Sequence, residues 1–79
     1  MKEISLDESI IGDILIVKKI LTNASIKRRF LDIGLSKNTK VIPMFNSICG
    51  GIRAYKIRNS LIGIRDSDAK EIIVRRSNE

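Results

Sequence analysis

In a chain whose apolar residues mostly alternate with polar ones, residues 26–35 repeat theirs at helical spacing, and this stretch limits what the rest can become. Ile26, Phe30 and Ile33 would share one apolar stripe, while Lys27, Arg28, Arg29 and Asp32 point elsewhere. Gly34 supplies the left-handed residue that stops a helix. Just before the stretch, Asn23 or Ser25 can accept a hydrogen bond from the first free backbone amides. The pattern predicts one short helix, about residues 25–33, lying across or beside a small sheet. Ile26, Phe30 and Ile33 would then plug a barrel, with a basic face turned outward.

The flanking segments read as strands and turns. Residues 1–9 form a short lead-in in which Ile4 and Leu6 alternate with polar neighbours, before a turn at residues 11–13. Residues 14–21 are branched and apolar and predict a strand, with Lys18 and Lys19 marking where it leaves the core. Asn38 suits a left-handed turn before a strand over residues 39–45. Pro43 cannot donate to a ladder, so it belongs at an edge or a bulge. Residues 46–51, with Cys49, Gly50 and Gly51, read as an exposed loop. Strands at 52–58 and 61–65 follow, joined at Asn59 and Ser60 as a hairpin. A helical turn near 66–70, capped by Asp66 with Ala69 tucked inward, precedes a last strand at 72–74 and a frayed polar tail at 75–79.

These elements make a mainly β domain: a small, partly open SH3-like barrel of five to six short strands. Its 79 residues form one domain, residues 1–79 with a core of about 6–74, near the lower size at which a core folds without disulfides or a metal. Ile, Leu and Val carry the core, since Phe30, Phe45 and Tyr55 are the only aromatics, and such branched residues favour strands. A formal charge of +6 attracts anionic partners of any kind and does not choose among nucleic acid, membrane and protein. One cysteine excludes an internal disulfide framework, and with no signal peptide or long apolar run apparent a soluble, cytoplasmic chain is expected.

Catalysis finds little support. The chain has no histidine, no nucleophile beside a recognisable base and no glycine-rich phosphate loop. Cys49 in its flexible loop is either a reactive thiol or an unremarkable small residue, and only Arg53 stands near enough in sequence to lower its pKa. A transition-metal site needs several Cys or His ligands, so no tightly bound cofactor or metal is expected. Asp7, Glu8 and Asp13, or Asp66 and Asp68, could hold a divalent ion weakly; solvated turn and helix capping are the simpler readings.

Nearly the whole chain, from about Leu6 to Val74, resembles the FeoA family of small cytosolic proteins of bacterial ferrous-iron uptake. The resemblance rests on Gly12, the helix Lys27-Arg28-Arg29-Phe30-Leu31-Asp32-Ile33-Gly34-Leu35, and Thr39-Lys40-Val41. It continues through Ile57-Arg58, Leu61-Ile62-Gly63-Ile64-Arg65 and Asp68-Ala69-Lys70-Glu71-Ile72-Ile73-Val74. Asn38 and Asn59 stand where that family more often has glycine, and asparagine is the next most tolerant residue for a left-handed backbone. The loop at residues 46–51 lacks the usual proline-rich form.

The resemblance implies an SH3-like barrel that binds rather than catalyses, as an accessory or regulator of FeoB, the membrane permease with a cytosolic G-protein domain. It also implies a relation to the C-terminal domain of iron- and manganese-dependent repressors, and family-level labels of transition-metal binding follow from that relation.

Lys27, Arg28 and Arg29 are the candidate partner-binding residues, joined by Phe45 and Tyr55. As a plain solvated face the three basic residues need no function. As a nucleic-acid site they lack interleaved aromatics, because Phe30 belongs to the buried stripe and only Tyr55 is left, so no nucleic-acid partner is expected. As a protein-docking site their arginines suit carboxylates, and the resemblance favours this reading. A sheet edge near Pro43 and Phe45 is a second candidate, able to accept an extended peptide from the permease or to pair with a second copy as a homodimer. A repressor-like metal-responsive domain and a nucleic-acid-binding barrel are the alternatives. The first is weakened because no helix-turn-helix precedes the barrel.

Overall fold

Alternation in the strands places Leu15, Val17, Val41, Tyr55, Ile57, Ile72 and Val74 on one face, where all are buried in a single cluster. In the computed structural model, which describes residues 3–48 and 50–77, the strands are β1 (Glu3–Ser5), β2 (Leu15–Ile20), β3 (Lys40–Asn46), β4 (Ile52–Ile57), β5 (Ser60–Arg65) and β6 (Ile72–Arg76). They form one antiparallel sheet in the order β1-β6-β2-β3-β4-β5, so β1 and β5 are its edges. A 3-10 turn at Leu6–Glu8 and a one-turn helix, α2 (Asp66–Ala69), contact each other, and α2 also packs on β5. Leu6 and Ala69, both fully buried, fill the seam that the strands leave open. The expected partly open SH3-like barrel is the observed fold.

Helix α1 (Ala24–Asp32) is capped by Asn23, whose side chain accepts from the Ile26 amide at 3.0 Å. At its other end Gly34 has φ +92°, and two bonds close the helix: Leu35 N–H to the Phe30 carbonyl at 2.8 Å and Gly34 N–H to the Leu31 carbonyl at 3.0 Å. This is a Schellman motif with its hydrophobic contact, because Phe30 and Leu35 are both in the core. The plug therefore differs from the expected stripe. Phe30 and Leu35 are buried and Ile26 packs partly against them, whereas Ile33 is 37% exposed. The left-handed turn after Gly34 swings Leu35 inward and leaves Ile33 at the surface.

Other boundaries differ for physical reasons. The β4–β5 hairpin turns at Arg58 and Asn59, one residue earlier than expected, and the positive φ falls on Arg58 at 58°. That register pairs Tyr55 with Ile62 and keeps both on the inner side; a slip of one would turn every side chain over. Asn38, at φ 72°, is the left-handed residue its type suggested. Pro43 lies beside a bulge between Pro43 and Phe45, as its missing amide requires, but β3 is an interior strand and not a sheet edge. Its ladder with β2 stops at Val41, and beyond that the Gly12 amide donates to the Pro43 carbonyl at 2.8 Å.

The cap position of α2 is Arg65, with no side-chain bond, and Asp66 sits in the first turn with its amide donating to the Gly51 carbonyl at 2.8 Å. Arg75 and Arg76, expected in a frayed tail, belong to β6 and pair with Ile16 and Leu15, whose backbone groups need partners on that side. Arg76 also meets Asp13 at 3.0 Å, and Ser77 N–H donates to Ile14. The expectations for Cys49 and for residues 78–79 lie outside the described residues.

An added Cβ at Gly34 would come within 2.8 Å of the Arg58 Nε, and the backbone there disfavours any side chain. Gly34→Ala should destabilise the domain by about 1–2 kcal/mol. At about 4–8 °C per kcal/mol for a domain of this size, thermal melting would show it clearly. Shortening the neighbour with Arg58→Ala in the same chain should recover little, since the backbone strain remains. Full recovery would show that the clash dominates.

Candidate functional site

Successive helical residues turn by about 100°, so the three basic side chains of α1 do not form one patch. All three are exposed, and none makes an ion pair or hydrogen bond with another described residue among those resolved. Arg29 lines a groove between α1 and β5. Lys27 lines a different cleft between α1 and β2. Arg28 lies between the two directions and lines neither groove.

The groove on the Arg29 side has a volume of about 250 Å³. Ile26, Phe30 and Ile33 come from the helix and Ile62 and Ile64 from β5, giving an apolar floor. Arg29, Arg65 and Asp68 add charge at the rim, where the Arg65 Nε lies 3.5 Å from the Asp68 Oδ2. Because β5 is an edge strand, one side of its backbone has no strand partner among the described residues, and that edge belongs to the same strand that supplies the floor. Such a site can hold an extended segment through main-chain bonds while alternate side chains enter the groove.

Three of the five carboxylates named as weak ion ligands have partners of their own. Asp7 accepts from the Ser5 hydroxyl at 2.6 Å, Asp13 pairs with Arg76, and Asp68 pairs with Arg65. Among the described residues no three His, Cys, Asp or Glu side chains converge as a metal site. No described helix is long and apolar enough to cross a membrane.

The family model for the FeoA domain matches residues 4–76. The chain belongs to the FeoA family. No curated protein matches its sequence significantly. Among solved structures, the FeoA protein of Chlorobium tepidum is similar with a TM-score of 0.86 and 23% identity, over 92% of this chain and 70% of that one. The FeoA-like protein of Clostridium acetobutylicum gives a TM-score of 0.86 and 26% identity, over 100% and 92%. A manganese-dependent transcriptional repressor gives 0.83 and 21%, over 95% of this chain but 42% of the repressor, so the likeness is to one part of that larger protein.

Within this FeoA fold the other two predicted site residues separate. Phe45 is 51% exposed on β3, opposite Ala54, and lines neither of the clefts beside α1. Tyr55 is fully buried and serves the core, so it presents no surface to a partner. A period-two reading of β4 puts Tyr55 on the same face as Ile57, and that alternation was the available signal. Ile62, Arg65 and Asp68 were missed as site residues because their nearness to α1 depends on the edge position of β5, which local pattern does not reveal.

The Tyr55 hydroxyl has no hydrogen-bond partner among the described residues. The nearby Arg53 is directed to the Asn46 side chain at 2.9 Å and the Ser9 carbonyl at 2.8 Å. Burial pushes the tyrosine up to about 12, with the Arg53 charge opposing it. From the ordinary value of 10.0 upward the unfolded chain loses this proton before the folded one, so stability falls as pH rises through that window. The loss should reach about 2–3 kcal/mol by the top of the window. Urea titrations at rising alkaline pH should show the decline, and Tyr55→Phe should flatten it. At neutral pH that variant should be unchanged or up to about 1 kcal/mol more stable, because it removes an unpaired buried hydroxyl.

Proposed function

We propose that this FeoA-family chain is a non-enzymatic accessory or regulator of ferrous-iron transport that binds the cytosolic part of a FeoB-type permease. The observation that supports this most is the apolar groove lying along the open edge of β5. On this reading an extended segment of the permease adds to β5, its alternate side chains enter between Ile33 and Ile62, and Arg29 meets a carboxylate at the rim. Binding would bias the permease's conformational or nucleotide cycle by differing in affinity between its states. The protein would work in the cytoplasm and meet its partner at the inner face of the membrane.

Affinity capture from the native membrane fraction should recover the permease in at least one nucleotide condition. Ile33→Asp should abolish capture and Arg29→Glu should weaken it about tenfold, whereas Arg28→Glu should leave it unchanged. Recovery of no iron permease under any nucleotide condition would overturn the partner. Undiminished capture by a folded Ile33→Asp variant would overturn the groove.

Iron on this reading is the partner's cargo and not a resident cofactor. Asp7, Asp13 and Asp68 each have a separate partner, and no three carboxylates converge among the described residues, so any divalent ion should bind weakly. Anaerobic calorimetric titration with Fe(II) should show no one-to-one binding at micromolar affinity or tighter, and such binding would refute the assignment.

A further inference from the structure

On the opposite side of α1 from the groove, Lys18, Lys19, Lys27 and Lys37 converge on one cleft of about 470 Å³. Two of these lysines are neighbours on β2 and would ordinarily face opposite ways. The register of β2 against β6 shifts between Val17 and Lys19, making Lys18 the extra residue of a bulge, and both lysines line the cleft. Lys27 comes from the helix, and Lys37 from the turn held by Asn38 N–H to the Val17 carbonyl at 2.8 Å. The positive surface continues past Lys37 to Lys40 and Arg58 in the adjoining depression. No acidic residue lines either depression, and none of the four lysines has an ion-pair partner among the described residues.

Two apolar residues sit among the lysines, Ile20 and Leu31, and Leu31 is 50% exposed. No aromatic lines the cleft, which removes the stacking platform that single-stranded nucleic acids use. No arginine lines it either, so it lacks the planar fork that recognises carboxylates on a peptide. Lysine ammonium groups serve as point charges for phosphates, and an exposed leucine among them suits the acyl boundary beneath a layer of phosphate headgroups.

We propose that this lysine cleft is a docking surface for an anionic phospholipid bilayer, with headgroup phosphates among the four lysines and Leu31 at the acyl boundary. Contact is direct and reversible, and needs no permease. Each lysine near an anionic surface strengthens binding about fivefold, so four suffice for salt-sensitive association while the domain stays soluble when released.

The test is flotation of the purified protein with vesicles of phosphatidylcholine alone or mixed with phosphatidylglycerol, at low and high salt, with no permease present. Failure here therefore leaves the partner reading untouched. The protein should float with the anionic vesicles at low salt, not with the neutral ones, and release at high salt. Lys19→Gln with Lys27→Gln should weaken partitioning roughly 25-fold, and Leu31→Ser about fivefold. Lys56→Gln with Lys70→Gln, which removes the same charge outside the cleft, should retain most of the binding. Circular dichroism melts would confirm that the variants fold.

Equal loss in the two double variants would reduce the effect to net charge and overturn the site. Indifference to Leu31→Ser, or tighter binding to RNA or polyglutamate than to vesicles of equal charge, would overturn the bilayer as the occupant.

Discussion

The closure of α1 by Gly34 is the constraint on which the functional geometry depends. Two backbone bonds from residues 34 and 35 end the helix, and the same turn drives Leu35 into the core beside Phe30. With its last turn fixed in that way, a nine-residue helix too short to be stable alone acquires a set position over the sheet. That position creates both clefts. If α1 rotated by one residue, Arg29 would leave the β5 groove and Lys27 would leave the β2 cleft, because each is placed only by the helix phase.

Two bulges complement that anchor. In β3 the irregularity beside Pro43 absorbs a residue that cannot donate, and in β2 the shift at Lys18 accompanies two successive lysines lining the cleft beside the helix. A barrel of six short strands needs such bends to curve. What distinguishes these two is their position: one lies next to a proline that forces it, and the other next to a cluster of like charges that gains nothing in stability from it. Gathering lysines in a cleft that no acidic residue lines is electrostatically unfavourable for the isolated domain. On the proposed reading, the fold keeps them together for an anion it does not itself contain.

Much of the fold was legible because its determinants are local. Period-two alternation located the strands to within a residue or two, Gly34 and Asn23 marked the two ends of α1, and Asn38 announced its own left-handed turn. The misreadings came where a distant partner decides. Ile33 looks like core on a helical wheel, yet the backbone reversal after it exposes it. Arg75 and Arg76 look like tail, yet β2 needs their backbone groups. Sheet order is likewise non-local: a run containing proline and followed by glycines suggests an edge, but the edges are β1 and β5, and β5 has neither a proline nor a charge on its inner side. The lysine cleft was hidden for the same reason, since Lys18, Lys27 and Lys37 are far apart in sequence and the bulge that aligns Lys18 with Lys19 leaves no mark in composition.

The two sides of α1 also differ in the kind of recognition they can support. Toward β5, apolar floor, rim charges of both signs and unpaired backbone together specify shape and direction, which suits one particular polypeptide. Toward β2, lysines around a leucine specify charge and depth but no sequence, which suits a surface with many equivalent positions. A short helix between these sides links them in one rigid unit about 32 Å in its longest dimension, so engagement of the lysine side would hold the groove at a fixed height above whatever carries the anionic charge. Confinement of that kind raises the effective concentration of a membrane-borne peptide at the groove without any added contact, and a weak groove then suffices.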